Sequence, residues 1–592
     1  MAKKLLPALA IIIAALAVYW PALNGTWLWD DNLIVHSNAR LHTLAGLGKI
    51  WFAAPTTDYW PLTWTLLWLE WHLWGDAPLG YHLVSLALHI TSAFLIWRIL
   101  ARLGLRRGWI GGLLFAVHPL AVESVAWISE IKNTLSLPLF LLAFDAWLDT
   151  DEGRSRAYPR SIALYLLAML AKTSTVMLPL VLALHCWWKR GCITRAELTR
   201  LAPFLLIALI LGAITLHFQN RNDGALPPIE PAGLIPRLTL AGTALLFYLT
   251  KFVMPTDLIT IYPAWPLDPP TVPEALALPV FVAFLELLYF ARKTWTRHVL
   301  FGVGFFLVTA LPILGLADME WLAFSPVADH LIYLPMVGLI GLTAAALDRV
   351  LEKIPASSHP TALGLLALTI AGLAWTSHTD ARRYRDPFAL WVHTLAHNPL
   401  AWPAWNGLGA ALLDSGHPAQ AAVPLQQALL LKPDFEQAHY DLGNLYYARG
   451  DFTDAVGQYQ IALQLNPRDA QALYNLGSVL MMLPGRLPEA LTRYEQALQL
   501  IPDSAEIRGN YAQALMRSGR TADALAQFQQ AAQLDPASAI AAYNLGLALQ
   551  QTGQSAAALT QFQRTLQLDP TFTRAQQQLA HLQPGGTDSV RP

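Results

Sequence analysis

The chain has 592 residues, more than one ordinary domain, and 55% of them are hydrophobic while only 13% are charged, against roughly 25% charged in soluble proteins. Much of its surface must therefore face something other than water. A net charge of −1 argues against nucleic acid as a general partner, and two cysteines, Cys186 and Cys192, supply neither a disulfide framework nor a metal cluster.

The N-terminus opens with Lys3 and Lys4 before an apolar run with no small-residue cleavage site, which predicts a retained first membrane helix. Directly after it come Trp27, Leu28, Trp29, Asp30 and Asp31. One carboxylate of this pair could take a proton from a hydroxyl nucleophile, and the two together could bind a divalent cation; a solvated loop is the bland alternative. Uncharged runs at 77–97, 201–220, 299–317, 331–347 and 360–377 are long enough, or nearly so, to cross hydrocarbon as helices. Shorter runs at 108–122, 133–144, 161–171, 173–188 and 275–291 fill out a bundle. Segment 236–252 either crosses or lies as a half-buried or re-entrant helix.

Between these runs sit polar groups that are expensive near a membrane and usually kept for function. Gly80-Tyr81-His82 and His89 follow Tyr59-Trp60-Pro61-Leu62. His118-Pro119 precedes Glu123, Glu130 and Lys132, with Glu123, Trp127 and Glu130 on one helical face. Lys172 stands between two apolar runs, and Ala328, Asp329, His330, Tyr333 and Pro335 open a later helix.

The character changes near residue 385. Prolines recur at 399, 433, 467, 502, 536 and 570, spaced 34 residues apart with one step of 35, and a Leu-Gly pair follows nine and ten positions later at 408–409, 442–443, 476–477 and 545–546. This is the period of the tetratricopeptide repeat. Five repeats with a capping helix at 571–582 predict an α-solenoid over 400–585, after a linker at 386–399 and before a tail at 586–592. Asn406, Tyr440, Tyr474 and Tyr543, seven after their prolines, are candidates for contact with an acceptor chain in the groove.

Lys and Arg set the expected orientation. Lys3 and Lys4, Arg98 to Arg107, Arg154 to Arg160 and Lys189 to Arg195 mark turns on the cytoplasmic side. If 236–252 does not cross, Arg292, Lys293, Arg297, Arg349 and Lys353 join them, giving eleven crossings and an external C-terminal part. Arg382, Arg383 and Arg385 then break the rule.

Taken in order, these motifs resemble the transmembrane and tetratricopeptide-repeat (TMTC) protein O-mannosyltransferases and their bacterial relatives, of the GT-C class of glycosyltransferases. The resemblance rests on Asp30-Asp31, Tyr59-x-Pro61-Leu62, Gly80-Tyr81-His82, His118-Pro119 with Glu123, Lys132, Lys172, and Ala328-Asp329 with Tyr333 and Pro335. It implies an all-α protein: a GT-C-like catalytic bundle over 1–385, then the repeats. The chain departs from the family at Asn133, Thr173 and His330, where an acidic residue, Glu and Arg are common.

The family's activity implies transfer of a sugar, a single hexose such as mannose, from a polyprenyl-phosphate donor to Ser or Thr of a protein on the non-cytoplasmic face. Asp30, Asp31 and Glu123 are then the catalytic candidates, and His118, Lys132, Lys172, Asp329, His330 and Tyr333 the donor-binding ones. Abundant Ala and Leu with short loops suggest a bacterial inner membrane, with the repeats in the periplasm. En bloc transfer of an oligosaccharide and a non-catalytic membrane-anchored scaffold are the alternatives.

Overall fold

The computed structural model describes residues 2–36, 38–52, 59–154, 156–219, 233–267, 269–317 and 319–582, so the expected tail at 586–592 lies outside the described residues. These residues are overwhelmingly helical, with one isolated bridge, Leu267 to Pro270, as extended pairing among them. Two compact units divide the chain, Met1–Gly407 and Leu408–Pro592.

In the first unit, ion pairs and hydrogen bonds identify two ends of a helix bundle. At one end Arg102 binds Asp145, Asp149 and Glu152, Arg107 binds Asp348, and Lys189 and Arg190 bind Asp151. At the other, Thr63 reaches Ala171, Thr173 meets Thr215, and Tyr262 binds Asp329. The bundle is built from the helices Ala2–Tyr19, Pro78–Arg102, Trp109–Val117, Ile131–Asp151, Ala157–Ala171, Leu178–Arg190, Arg195–Gln219, Val272–Phe290, Thr296–Ala310, Met336–Lys353 and His359–Ala381. Six helices are individually long and apolar enough to span a bilayer, seven if the pair Trp109–Val117 and Pro119–Ala126, bent by 65°, counts as one span. The protein is an integral membrane protein.

The ambiguous stretch 236–252 folds as one helix, Leu234–Val253. Arg237 donates to the Leu316 carbonyl at 3.5 Å near its start, and Tyr248 accepts from Ala328 N at 3.2 Å near its finish. Its middle packs against Val272–Phe290, where a Cβ on Gly242 would come within 2.6 Å of Leu278 N. Arg383, a charge on the unexpected side, is used locally: it binds Asp380 at 2.7 Å and donates to the Leu258 carbonyl. Residues 386–399 carry the helix Pro387–His397, with Pro at its first turn and Asp386 capping Ala389 N at 2.8 Å.

The second unit shows why the Leu-Gly pairs recur. A Cβ on Gly443, Gly477 or Gly546 would meet the ring of Tyr459, Tyr494 or Phe562 at 2.5, 3.0 or 2.7 Å, so glycine lets the two helices of a repeat close on an aromatic ring. Side chains also link successive repeats. Asn475 donates to Tyr440 and Asn510 to Tyr474. The matching place before Asn544 is Gly509, around whose Cβ position there is open space.

Candidate functional site

The site begins with a tight turn. Asp31 N donates to the Leu28 carbonyl at 2.8 Å, and Leu28 N donates back to Asp31 Oδ2 at 2.9 Å. Asp31 is fully buried, and its other oxygen accepts Ser129 N at 2.7 Å. Ser129 Oγ donates to Asp30 Oδ1 at 2.8 Å. One serine, on the short turn Ile128–Glu130 that leads into Ile131–Asp151, thus holds both carboxylates. Asp30 is half-buried, and among the described residues its Oδ2 accepts no hydrogen bond. Burial pushes the Asp30 carboxyl up to about 6, opposed by Lys132 and the Ser129 hydrogen bond. Burial, then the neighbouring Asp30 charge, raises Asp31 well above the usual carboxylate range.

Next to this pair lies a cationic network. Lys132 Nζ is 2.7 Å from Glu130 Oε1, donates to the Ser129 carbonyl at 3.3 Å and stands 5.4 Å over the Trp60 ring. Asn133 donates to Glu130 Oε2 at 2.6 Å and to the His330 carbonyl at 3.2 Å, and its Oδ1 accepts the Lys172 ammonium. The amide at 133 ties the two lysines into one group. Glu123 accepts His330 N at 2.7 Å with Oε2, and His330 Nδ1 lies 3.1 Å from the same oxygen. Glu123 therefore orients His330 from a buried position rather than presenting a carboxylate to the open side of Asp30.

The remaining sequence candidates are committed elsewhere. His118 uses Nδ1 to accept Leu120 N and Nε2 against the Phe252 carbonyl, so it builds the His-Pro turn. Tyr333 hydrogen-bonds His89 at 2.8 Å, and Asp329 accepts the Tyr262 hydroxyl at 3.0 and 3.1 Å. In the repeats, Tyr440 and Tyr474 belong to the inter-repeat links, Tyr543 is buried against Phe562 and Phe572, and Asn406 is buried. Ser129, Glu130 and Asn133 carry the site's hydrogen bonds; the single helical face expected for Glu123, Trp127 and Glu130 does not form, because the helix Val122–Ala126 ends before Trp127, which is extended at φ −96° and ψ 121° and leads into the separate turn Ile128–Glu130.

A divalent cation fits these residues poorly. Asp31 spends both oxygens on backbone amides, and the charge beside Asp30 is an ammonium. Among the described residues no group of three or more His, Cys, Asp or Glu is placed to hold a metal ion.

The tetratricopeptide-repeat family model matches residues 440–506 and 510–571. Protein O-mannosyl-transferase Tmtc3 of Drosophila melanogaster is 23% identical over 86% of this chain and 65% of its own length, and human TMTC3 is 23% identical over 83% and 60%. A Caenorhabditis elegans protein O-mannosyl-transferase, F38B6.6, is 23% identical over 72% and 63%. These similarities along most of the chain support the TMTC family. It spans about three-fifths of the length of these TMTC relatives. Among solved structures, the TPR protein YrrB, described as having an unusual peptide-binding site, covers 32% of this chain and 96% of its own at 23% identity, with a TM-score of 0.28.

Proposed function

We propose that this chain is a GT-C glycosyltransferase that moves a single hexose, such as mannose, from a polyprenyl-phosphate carrier to Ser or Thr of a protein. The observation that carries the reading is Asp30: a half-buried carboxylate with one oxygen fixed by Ser129 and the other open, beside Lys132 and Lys172. The acceptor hydroxyl gives its proton to Asp30 Oδ2 as its oxygen bonds to the anomeric carbon. The bond from that carbon to the carrier's phosphate oxygen breaks, and the phosphate leaves with the electron pair. Direct displacement inverts the anomeric centre. A base raised toward 6 suits this work near neutral pH, and the two ammonium groups stabilise the departing phosphate.

On our reading 234–253 does not cross, and eleven crossings put Asp30 and the repeats outside the cytoplasm, in the periplasm of a bacterium; the contacts of that helix with Leu316 and Ala328 support this reading. The repeat array recruits the acceptor polypeptide and raises its local concentration.

The test uses purified full-length protein, polyprenyl-monophosphate mannose and a Ser/Thr-rich peptide, with mass spectrometry of the product. One added hexose is expected, together with its loss in Asp30→Asn. Transfer only from a diphosphate-linked oligosaccharide would establish the en bloc alternative.

A further inference from the structure

The residue before the open carboxylate has an unusual backbone. Trp29 has φ +41°, in the left-handed region that bulky side chains rarely adopt. Such a conformation persists only where surrounding structure holds it. Here the holding is done by rings. Trp127 stacks on Trp29 at 5.6 Å with 9° between planes, and Trp391 meets it edge-on at 5.0 Å. The same part of the chain grips the loop's other side, where Thr26 N donates to the Arg385 carbonyl at 3.0 Å. Trp391 is 1% exposed, and its indole fills the space over Gly407, where a Cβ would come within 2.3 Å of the ring. The helix Pro387–His397 thus reaches back across more than 350 residues to set the backbone that aims Asp30.

We propose that Trp391 is a positioning residue for the transfer reaction: wedged between Gly407 and Trp29, it keeps Trp29 left-handed and so fixes the direction of the Asp30 carboxylate. This rests on Asp30 as the base. It makes the helix following residue 385 part of the catalytic unit, and it predicts sensitivity to packing at a point that touches neither donor nor acceptor.

The experiment uses full-length Trp391→Leu, Trp391→Phe, Gly407→Ala and Trp29→Gly, singly and with Trp29→Gly combined with each of the other three, alongside Asp30→Asn. Transfer kinetics are measured with polyprenyl-monophosphate mannose and peptide, and folding by thermal midpoint. Trp391→Leu should lower kcat at least ten-fold with KM for donor within two-fold, and Trp391→Phe, which keeps a ring edge, should lose less. Gly407→Ala pushes on the indole from behind and should lower kcat several-fold. In a Trp29→Gly background these changes should have little further effect, because glycine takes φ +41° without strain. Should Trp391→Leu fail to fold, Gly407→Ala with and without Trp29→Gly makes the same comparison. Wild-type kcat in folded Trp391→Leu or Gly407→Ala, or effects that simply multiply with Trp29→Gly, would overturn the proposal. Full activity of Asp30→Asn would instead remove the base assignment on which it rests.

Discussion

Replacing Asp30 by Asn separates chemistry from stability, because the two should move in opposite directions. Asn keeps the oxygen that accepts from Ser129 Oγ and removes a charge that burial disfavours. The Asp30 carboxyl is raised from its ordinary 3.8 to about 6, and about two pH units correspond to about 3 kcal/mol between protonation states. Asp30 is only half-buried, so solvent screening reduces this to about 1–2 kcal/mol. The sign follows from linkage. A carboxyl raised in the folded state favours the fold below its unfolded value, near 4, and this contribution is lost as pH rises through 6. At pH 7.5 the variant should unfold about 1–2 °C higher than the parent, and this gain should vanish by pH 4. Transfer should fall by about two to four orders of magnitude, while the parent's rate should rise with pH through a limb near 6. Equal midpoints at pH 7.5, or a variant with near-parental transfer and the same acid limb, would refute the argument.

Asp31→Asn should behave differently, since an amide nitrogen would face one of two backbone N–H groups; about 1–3 kcal/mol of stability should be lost with activity falling in parallel, read by thermal midpoint and transfer assay together. Lys132→Ala and Lys172→Ala should raise the apparent constant for donor while leaving that for acceptor near its parental value; the reverse pattern in kinetics varied over both substrates would move these lysines to the acceptor side. A cysteine at Ser538, in a background lacking Cys186 and Cys192, should react with a membrane-impermeant maleimide in intact spheroplasts, and protection until lysis would show that the repeats lie inside. Isolated repeats added in excess should inhibit transfer to a protein acceptor but not to a short peptide; equal inhibition of both, or of neither, would count against recruitment.

The parts of this protein legible in sequence are those that repeat or that lipid constrains. Repeat boundaries follow from a 34-residue period, and the Leu-Gly pairs correspond to real closures against Tyr459, Tyr494 and Phe562. Apolar runs marked the bundle helices because hydrocarbon leaves the backbone no other partner. The path of 234–253 was not legible, since length and hydropathy are the same for a helix that crosses and one that lies along an end. The site was half legible. Asp30, Lys132 and Lys172 could be picked out as charges beside apolar runs, but Ser129 and Asn133 are ordinary polar residues whose roles arise from contacts 39 to 197 positions away. His118 and Tyr333 drew notice for the same reason as the lysines, and their partners proved to be Phe252 and His89. Residues 386–399 read as a linker because a short apolar helix near the close of the first unit has no periodic signature of its own.

The gap at Gly509 has a mechanical consequence. A stacked array transmits load through the interface between each pair of neighbours, and its cooperativity is a product of those interfaces. Here the third repeat is pinned to the second by Asn475 on Tyr440, and the fourth to the third by Asn510 on Tyr474, but among the described residues no equivalent rung joins Asn544 to the fourth. Pulled from its C-terminal end, the array should act like a zipper with one missing tooth. The fifth repeat and the helix Thr573–Leu582 peel away first at low force, and the repeats behind them hold until a higher one.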